Sequence, residues 1–146
     1  MKTNKGMHGM RRALLFVSAV AALAVLPVGV SACSGDDAMV TGTVMKLDRS
    51  ALPPDAVVKI ELQDISKADA AATVLSSQEI ELGGNQLPVP FELSYSEGDI
   101  DDRFTYAVMV RIEAGGSLLY INDTVFPVIT GGNPTENVEV VVVPVG

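Results

Sequence analysis

In the stretch AVVKIELQDI, Val58, Ile60 and Leu62 alternate with Lys59, Glu61 and Gln63, which makes one side of an extended chain apolar and the other polar. A period of two is what a half-buried strand requires. The same alternation recurs where Val89, Phe91, Leu93 and Tyr95 are interleaved with Pro90, Glu92 and Ser94. It recurs again where Tyr106, Val108, Val110 and Ile112 are interleaved with Ala107, Met109, Arg111 and Glu113. Weaker versions predict strands at Val40 to Leu47, Thr73 to Leu82, Ser117 to Asn122 and Asn137 to Val143. Turn formers separate them: LPPD at 52–55, GGN at 83–85, EAGGS at 113–117 and GGNP at 131–134. About seven short strands with such punctuation predict an all-β domain, an antiparallel β-sandwich.

Two of these strands break the in-and-out rule. Leu118 to Ile121 and Val140 to Val143 are apolar at successive positions, so both of their faces need cover. Either a loop such as the alanine-rich KADAAA at 67–72 roofs the outer face, or that face meets a partner or second copy. KADAAA is also the one stretch of the domain with helical propensity, and it is long enough only for a loop or a single turn.

The first 32 residues have a different pattern. Lys2, Lys5, Arg11 and Arg12 precede an uncharged run from Ala13 to Leu26, and Pro27 and Gly29 then interrupt it before small residues. That layout is an export signal, with a retained membrane anchor as the rival reading. Val30, Ser31, Ala32 and Cys33 then match the lipobox of bacterial lipoproteins: an aliphatic residue, a small one, Gly or Ala, then cysteine. The thiolate of Cys33 takes the lipid, and the small residues before it let a signal peptidase seat the backbone. Cys33 is the single cysteine of the chain. The expected organisation is a signal peptide at 1–32, a lipidated cysteine and tether at 33–38, and a β domain at 39–146. Ser34 stands where an aspartate retains Gram-negative lipoproteins at the inner membrane, so the expected location is the outer membrane, with the domain facing the periplasm.

Removing the leader changes the composition. The whole chain is 48% hydrophobic with a net charge of −8. The part from Cys33 onward keeps six basic residues against all 18 acids, a net of −12. Such a surface disfavours nucleic acid and anionic lipid headgroups. The sole histidine, His8, lies in the leader, so what remains lacks the base for Ser-His-Asp or Cys-His catalysis and the usual nitrogen and sulfur ligands of zinc, copper and haem. No enzyme, metal or cofactor is expected.

Three polar features invite a functional reading and have plainer ones. Glu97, Asp99, Asp101 and Asp102 in SEGDIDD offer oxygen ligands, but not at EF-hand spacing, and read as a solvated turn. Tyr95, Tyr106 and Tyr120 could form a sugar-stacking platform, yet they stand beside aliphatics on alternating strands, as packing residues do. Asn122, Asp123 and Thr124 spell a glycosylation acceptor that a bacterial lipoprotein does not use, and Asn122 and Asp123 suit a tight turn.

The ordered series Gly42 in a first strand, ALPPDA, DISKADA, PFEL and INDTVFPV, spanning about Val40 to Thr130, resembles the YbaY/YscW family of small bacterial lipoproteins. Ala71 departs from that pattern, where a proline is expected. The resemblance implies an immunoglobulin-like or transthyretin-like sandwich on a lipid anchor. It also implies a pilotin-like role, the binding and delivery of a secretin or another envelope protein. The alternative it leaves open is a glycan- or lipid-binding module in envelope or polysaccharide metabolism.

Overall fold

A computed structural model describes residues 36–146. The expected leader at 1–32, the lipobox residues Val30, Ser31 and Ala32, and Cys33 itself lie outside the described residues. Eight strands follow in order: β1 (Asp37–Lys46), β2 (Val57–Asp64), β3 (Thr73–Glu81), β4 (Val89–Ser96), β5 (Tyr106–Ala114), β6 (Ser117–Ile121), β7 (Phe126–Val128) and β8 (Val138–Pro144). All seven expected strands are present. β1 begins two residues inside the stretch read as tether, because Asp37 and Ala38 pair with Ser96 and Tyr95 of β4.

The strands form one hydrogen-bonded path, β3-β2-β5-β6-β8-β1-β4, with β7 added beside β5. Its two ends come together where the Glu92 N–H of β4 donates to Gln78 Oε1 of β3 at 2.9 Å, so the sheet nearly closes into a barrel. The expectation of purely antiparallel pairing needs correction at one place. β1 runs parallel to β8, with Gly42 to Lys46 opposite Val138 to Val142. Parallel neighbours cannot be joined by a hairpin. Here the connection is almost the whole domain.

Local chemistry sets the turns. Gly115 (φ +56°) and Gly116 (φ +79°) form a two-residue loop between β5 and β6, the type I′ geometry whose twist matches that of flanking strands. The Ala56 N–H donates to the Pro53 carbonyl at 3.0 Å and closes the LPPD turn into β2. Residues 67–72 form an exposed turn without helix; the one helical segment among the described residues is a single 3₁₀ turn, Glu97–Asp99, in the acidic stretch.

Alternation delivers the core. Val40, Val44, Phe91, Leu93, Val138, Val140 and Val142 meet Val58, Ile60, Leu62, Tyr106, Val108, Val110 and Ile112, all essentially buried. Each contributes about 1.5–3 kcal/mol relative to leaving it in water. Asn122, at 5% exposure, is one of two buried polar residues among those described, with Thr130. Its Oδ1 accepts from the Val110 N–H at 2.7 Å, and its Nδ2 donates to the carbonyls of Val108 at 3.3 Å and Thr124 at 2.9 Å. One side chain thus satisfies the edge of β5 between the end of β6 and the start of β7, which is more than the local turn expected of it. Asn122→Ala strands a buried N–H and a buried C=O, each worth roughly 1–3 kcal/mol. A loss of about 3 kcal/mol in urea unfolding is expected, with the m-value unchanged.

Candidate docking face

The outward-facing positions divide the surface in two. On β2, β3 and β5 they carry charge: Lys59 Nζ lies 2.9 Å from Glu113 and 4.0 Å from Glu79, and Arg111 lies 3.4 Å from Glu61. On β6, β8 and β1 they are apolar toward the Met45 end of β1, while Glu139 of β8 and Thr41 and Thr43 of β1 make the other end polar. Val138, Val140 and Val142 point into the core, which leaves Val141 and Val143 on the outside, both part-exposed. Register then places Ile121 directly opposite Val143, and Met45 directly opposite Val141. The Val145 N–H donates to the Leu119 carbonyl at 2.9 Å and extends the same strip. Leu47 (81% exposed) ends the row at the tip of β1, and Val145 (44%) and Leu118 (41%) border it.

The two-faced apolar character of Leu118–Ile121 and Val140–Val143 is therefore partly uncovered. The roof expected from the alanine-rich loop is not there: residues 67–72 connect β2 to β3, at the far end of the strand path from β8, and are themselves exposed. Met45 and Leu47 had no sequence signal of their own. They join the strip only through the parallel register of β1 and β8.

A polar cluster fastens this face at one end. The Lys46 side chain is 7% exposed and donates to the Asp48 carboxylate at 3.0 Å, to the Asp48 carbonyl at 3.1 Å and to the Ser50 carbonyl. Its ammonium stands 5.5 Å from the centre of the Tyr120 ring, and the Tyr120 hydroxyl donates to Asp48 Oδ1 at 3.1 Å. A cation on the core side of β1 is thus matched by a carboxylate, an aromatic face and carbonyls. Lys46, together with the Ser50 N–H, holds the Asp48 carboxyl far below the usual carboxylate range. A carboxylate whose folded pKa is depressed stabilises the fold above its unfolded pKa, near 3.9, and that stability is lost as pH falls toward the folded value. The melting temperatures of wild type and Asp48→Asn should therefore differ most at pH 5–7, begin to draw together only below about pH 4, and meet only near the far lower folded value.

The other sequence candidates do not assemble into a site on this face. Asp101 is taken by Arg103, which donates to both of its carboxylate oxygens and holds its pKa at about 2. Among the described residues no group of three metal-ligating side chains is found. Tyr106 (1% exposed) and Tyr120 (7%) are buried, with Tyr106 Oη accepting from the Asp101 N–H at 3.0 Å, so the three tyrosines make no stacking platform. Thr124 Oγ1 donates to Asp123 in an exposed turn.

Comparison with known proteins places this architecture. An uncharacterized lipoprotein of Escherichia coli (strain K12), YbaY, is 39% identical over 93 residues, which cover 64% of this chain and 49% of that protein. The chain thus spans about half the length of that curated relative. A solved structure, that of an alternative pilotin from the type II secretion system of Vibrio cholerae, matches with a TM-score of 0.67 and 38% identity, covering 73% of this chain and 97% of the other. The type III secretion system lipoprotein chaperone family (YscW) matches residues 36–140, from the first strand into the last, and the chain belongs to that family.

Proposed function

We propose that this protein is a non-enzymatic, pilotin-like chaperone that binds a segment of a secretin or another envelope protein on the β6-β8-β1 face and delivers it to the outer membrane. The observation that carries the reading is the row Ile121, Val143, Val141 and Met45, an apolar strip on a domain with a net charge of −12 from Cys33 onward. An apolar sheet face can bury the apolar side of a partner segment, as an apolar groove buries that of an amphipathic helix. Family membership and the pilotin-like fold support the same reading. The proposal includes lipidation at Cys33 and a domain held in the periplasm at the outer membrane. Asp37 already belongs to β1, so the tether would be only Ser34 to Asp36.

The test is recovery of the partner from detergent-solubilised envelopes with the native lipidated protein as bait. A secretin or other envelope protein, identified by mass spectrometry, should be recovered in stoichiometric amount. Val141→Asp combined with Val143→Asp should reduce that recovery at least ~10-fold, since each carboxylate is desolvated on docking, while the melting temperature stays close to wild type. Lys59→Ser, on the charged face, should leave it unchanged. Absence of any stoichiometric partner, or equal recovery by the double variant, would refute the reading.

A further inference from the structure

A second surface feature lies away from the apolar strip. The 3₁₀ turn after β4 and the loop from Ile129 to Thr135 enclose a cleft of about 450 Å³, lined by Tyr95, Glu97, Ile100, Asp102, Ile129 and Thr135. Three of these, Tyr95, Ile100 and Ile129, are part-buried and pack against the core, so they form a floor of one aromatic ring and two branched aliphatic chains. Glu97 and Asp102 are exposed at the mouth. Neither has a basic side chain within ion-pairing distance among the described residues, although Asp101 between them is neutralised by Arg103.

The Ile129 wall is fixed in an unusual way. The Thr130 N–H donates to the Val128 carbonyl at 2.8 Å and closes a three-residue turn about Ile129, whose φ is +70°. A β-branched residue avoids that region, and such a γ-turn persists only where its surroundings over-determine it. Here they do. Val128 is fully buried, Thr130 Oγ1 donates to the Phe104 carbonyl at 2.7 Å, and Asn133 Nδ2 donates to the Thr130 carbonyl at 2.6 Å. The opposite wall is held to the residue before β1, because the Glu97 N–H donates to the Asp36 carbonyl at 3.1 Å. The cleft is therefore formed before anything enters it.

We propose that this cleft receives a basic side chain, arginine or lysine, from a protein segment that docks on the domain. The aliphatic stem would lie on Ile100 and Ile129, the cationic head would face the Tyr95 ring, and the carboxylates of Glu97 and Asp102 would neutralise it. Long basic side chains bury their stems along apolar surface while the head stays with its counter-charges, and a cation over an aromatic face gains further from the ring quadrupole. Charge complementarity selects this occupant over a zwitterionic lipid headgroup, whose ammonium brings a phosphate that two carboxylates repel. The site goes beyond the docking face and stands or falls without it, since the probes below contain no partner protein.

The experiment titrates the full-length protein in detergent with n-butylguanidinium, following backbone amide NMR shifts. Saturable shifts are expected at Tyr95, Ile100, Ile129 and Thr135. The neutral analogue n-butylurea is expected to bind at least ~10-fold more weakly, as is n-butylguanidinium to the variant Glu97→Gln/Asp102→Asn, both about 1.4 kcal/mol. The two substituted positions are exposed, and an unchanged melting temperature shows that the variant is folded. Equal binding of the neutral analogue would overturn the proposal in favour of a merely apolar cleft. Unchanged binding by the double variant would overturn it in favour of diffuse attraction to an acidic domain. Competition by O-phosphorylethanolamine as strong as that by n-butylguanidinium would overturn it in favour of a lipid headgroup.

Discussion

Gly42→Ala should destabilise the domain by about 4 kcal/mol or more, enough to leave little soluble folded protein at 37 °C. A β-carbon at Gly42 would stand 2.1 Å from the Val138 carbonyl oxygen and 2.7 and 2.8 Å from Cζ and Cε1 of Phe91. The reason is position in the sheet. Gly42 is opposite Phe91 of β4 on one side and Val138 of β8 on the other, and it faces the core between Val40 and Val44. Overpacking a core ordinarily costs about 1–3 kcal/mol, and more when the obstacle is backbone that carries a strand pairing. Against a total stability of about 5–15 kcal/mol the loss is large, and the melting temperature should fall by roughly 15 °C or more. Phe91→Leu, added to Gly42→Ala, removes two of the three close contacts and should recover part of the loss. The carbonyl of Val138 stays in place, so recovery should be incomplete. A single variant that melts within a few degrees of wild type would show that the close approach is not what glycine serves here.

Strand content was legible because it depends on local pattern. Val58-Ile60-Leu62 and Tyr106-Val108-Val110-Ile112 declare one buried face each, and the paired glycines at 115–116 declare a hairpin, with no knowledge of neighbours. β7 escaped because Phe126, Pro127 and Val128 are too few to show a period, and proline argues against a strand unless it lies at an edge. The parallel pairing of β1 with β8 escaped for a different reason: alternation fixes which face of a strand is buried, not which strand lies beside it. The same limit separates a sandwich from a nearly closed barrel. Here β6 and β8 are joined by only two residue pairs, and β3 and β4 by a single side-chain bridge at Gln78.

The candidate surface followed the same division. Runs such as LLYI and VVVV announced a second apolar face, because no alternation can hide four consecutive apolar residues. Met45 and Leu47 gave no such sign, since Lys46 stands between them. In the fold Lys46 turns inward to Asp48 and Tyr120, which leaves its two apolar neighbours outside. The cleft beside β4 was beyond reach for the same reason: Tyr95 and Ile129 are brought together only by the barrel end.

Cys33→Ser, made in a chain whose residues 1–32 are replaced by a cleavable non-lipoprotein leader, should convert the protein from a membrane-bound to a freely soluble form. The replacement leader matters, since an uncleaved run from Ala13 to Leu26 could itself hold the chain at a bilayer. A buried acyl chain contributes about 0.8 kcal/mol per CH₂, so one chain binds reversibly while two or three bind durably. Lipid anchors that carry a single chain are often reinforced by a basic patch. This domain has the opposite, six basic residues against 18 acids from Cys33 onward, and would be repelled by anionic headgroups. With the proposed lipid as the anchor, the fraction sedimenting with membranes should drop from nearly all to nearly none, at low and high salt alike. The melting temperature should not change, because β1 begins only at Asp37 and the core residues among those described start at Val40. Retention of the variant on membranes after leader cleavage would mean that the β domain itself holds the bilayer. The apolar strip of Val141, Val143 and Ile121 would then be a membrane-binding surface, and the assignment of that strip to a protein partner would fail with the anchor.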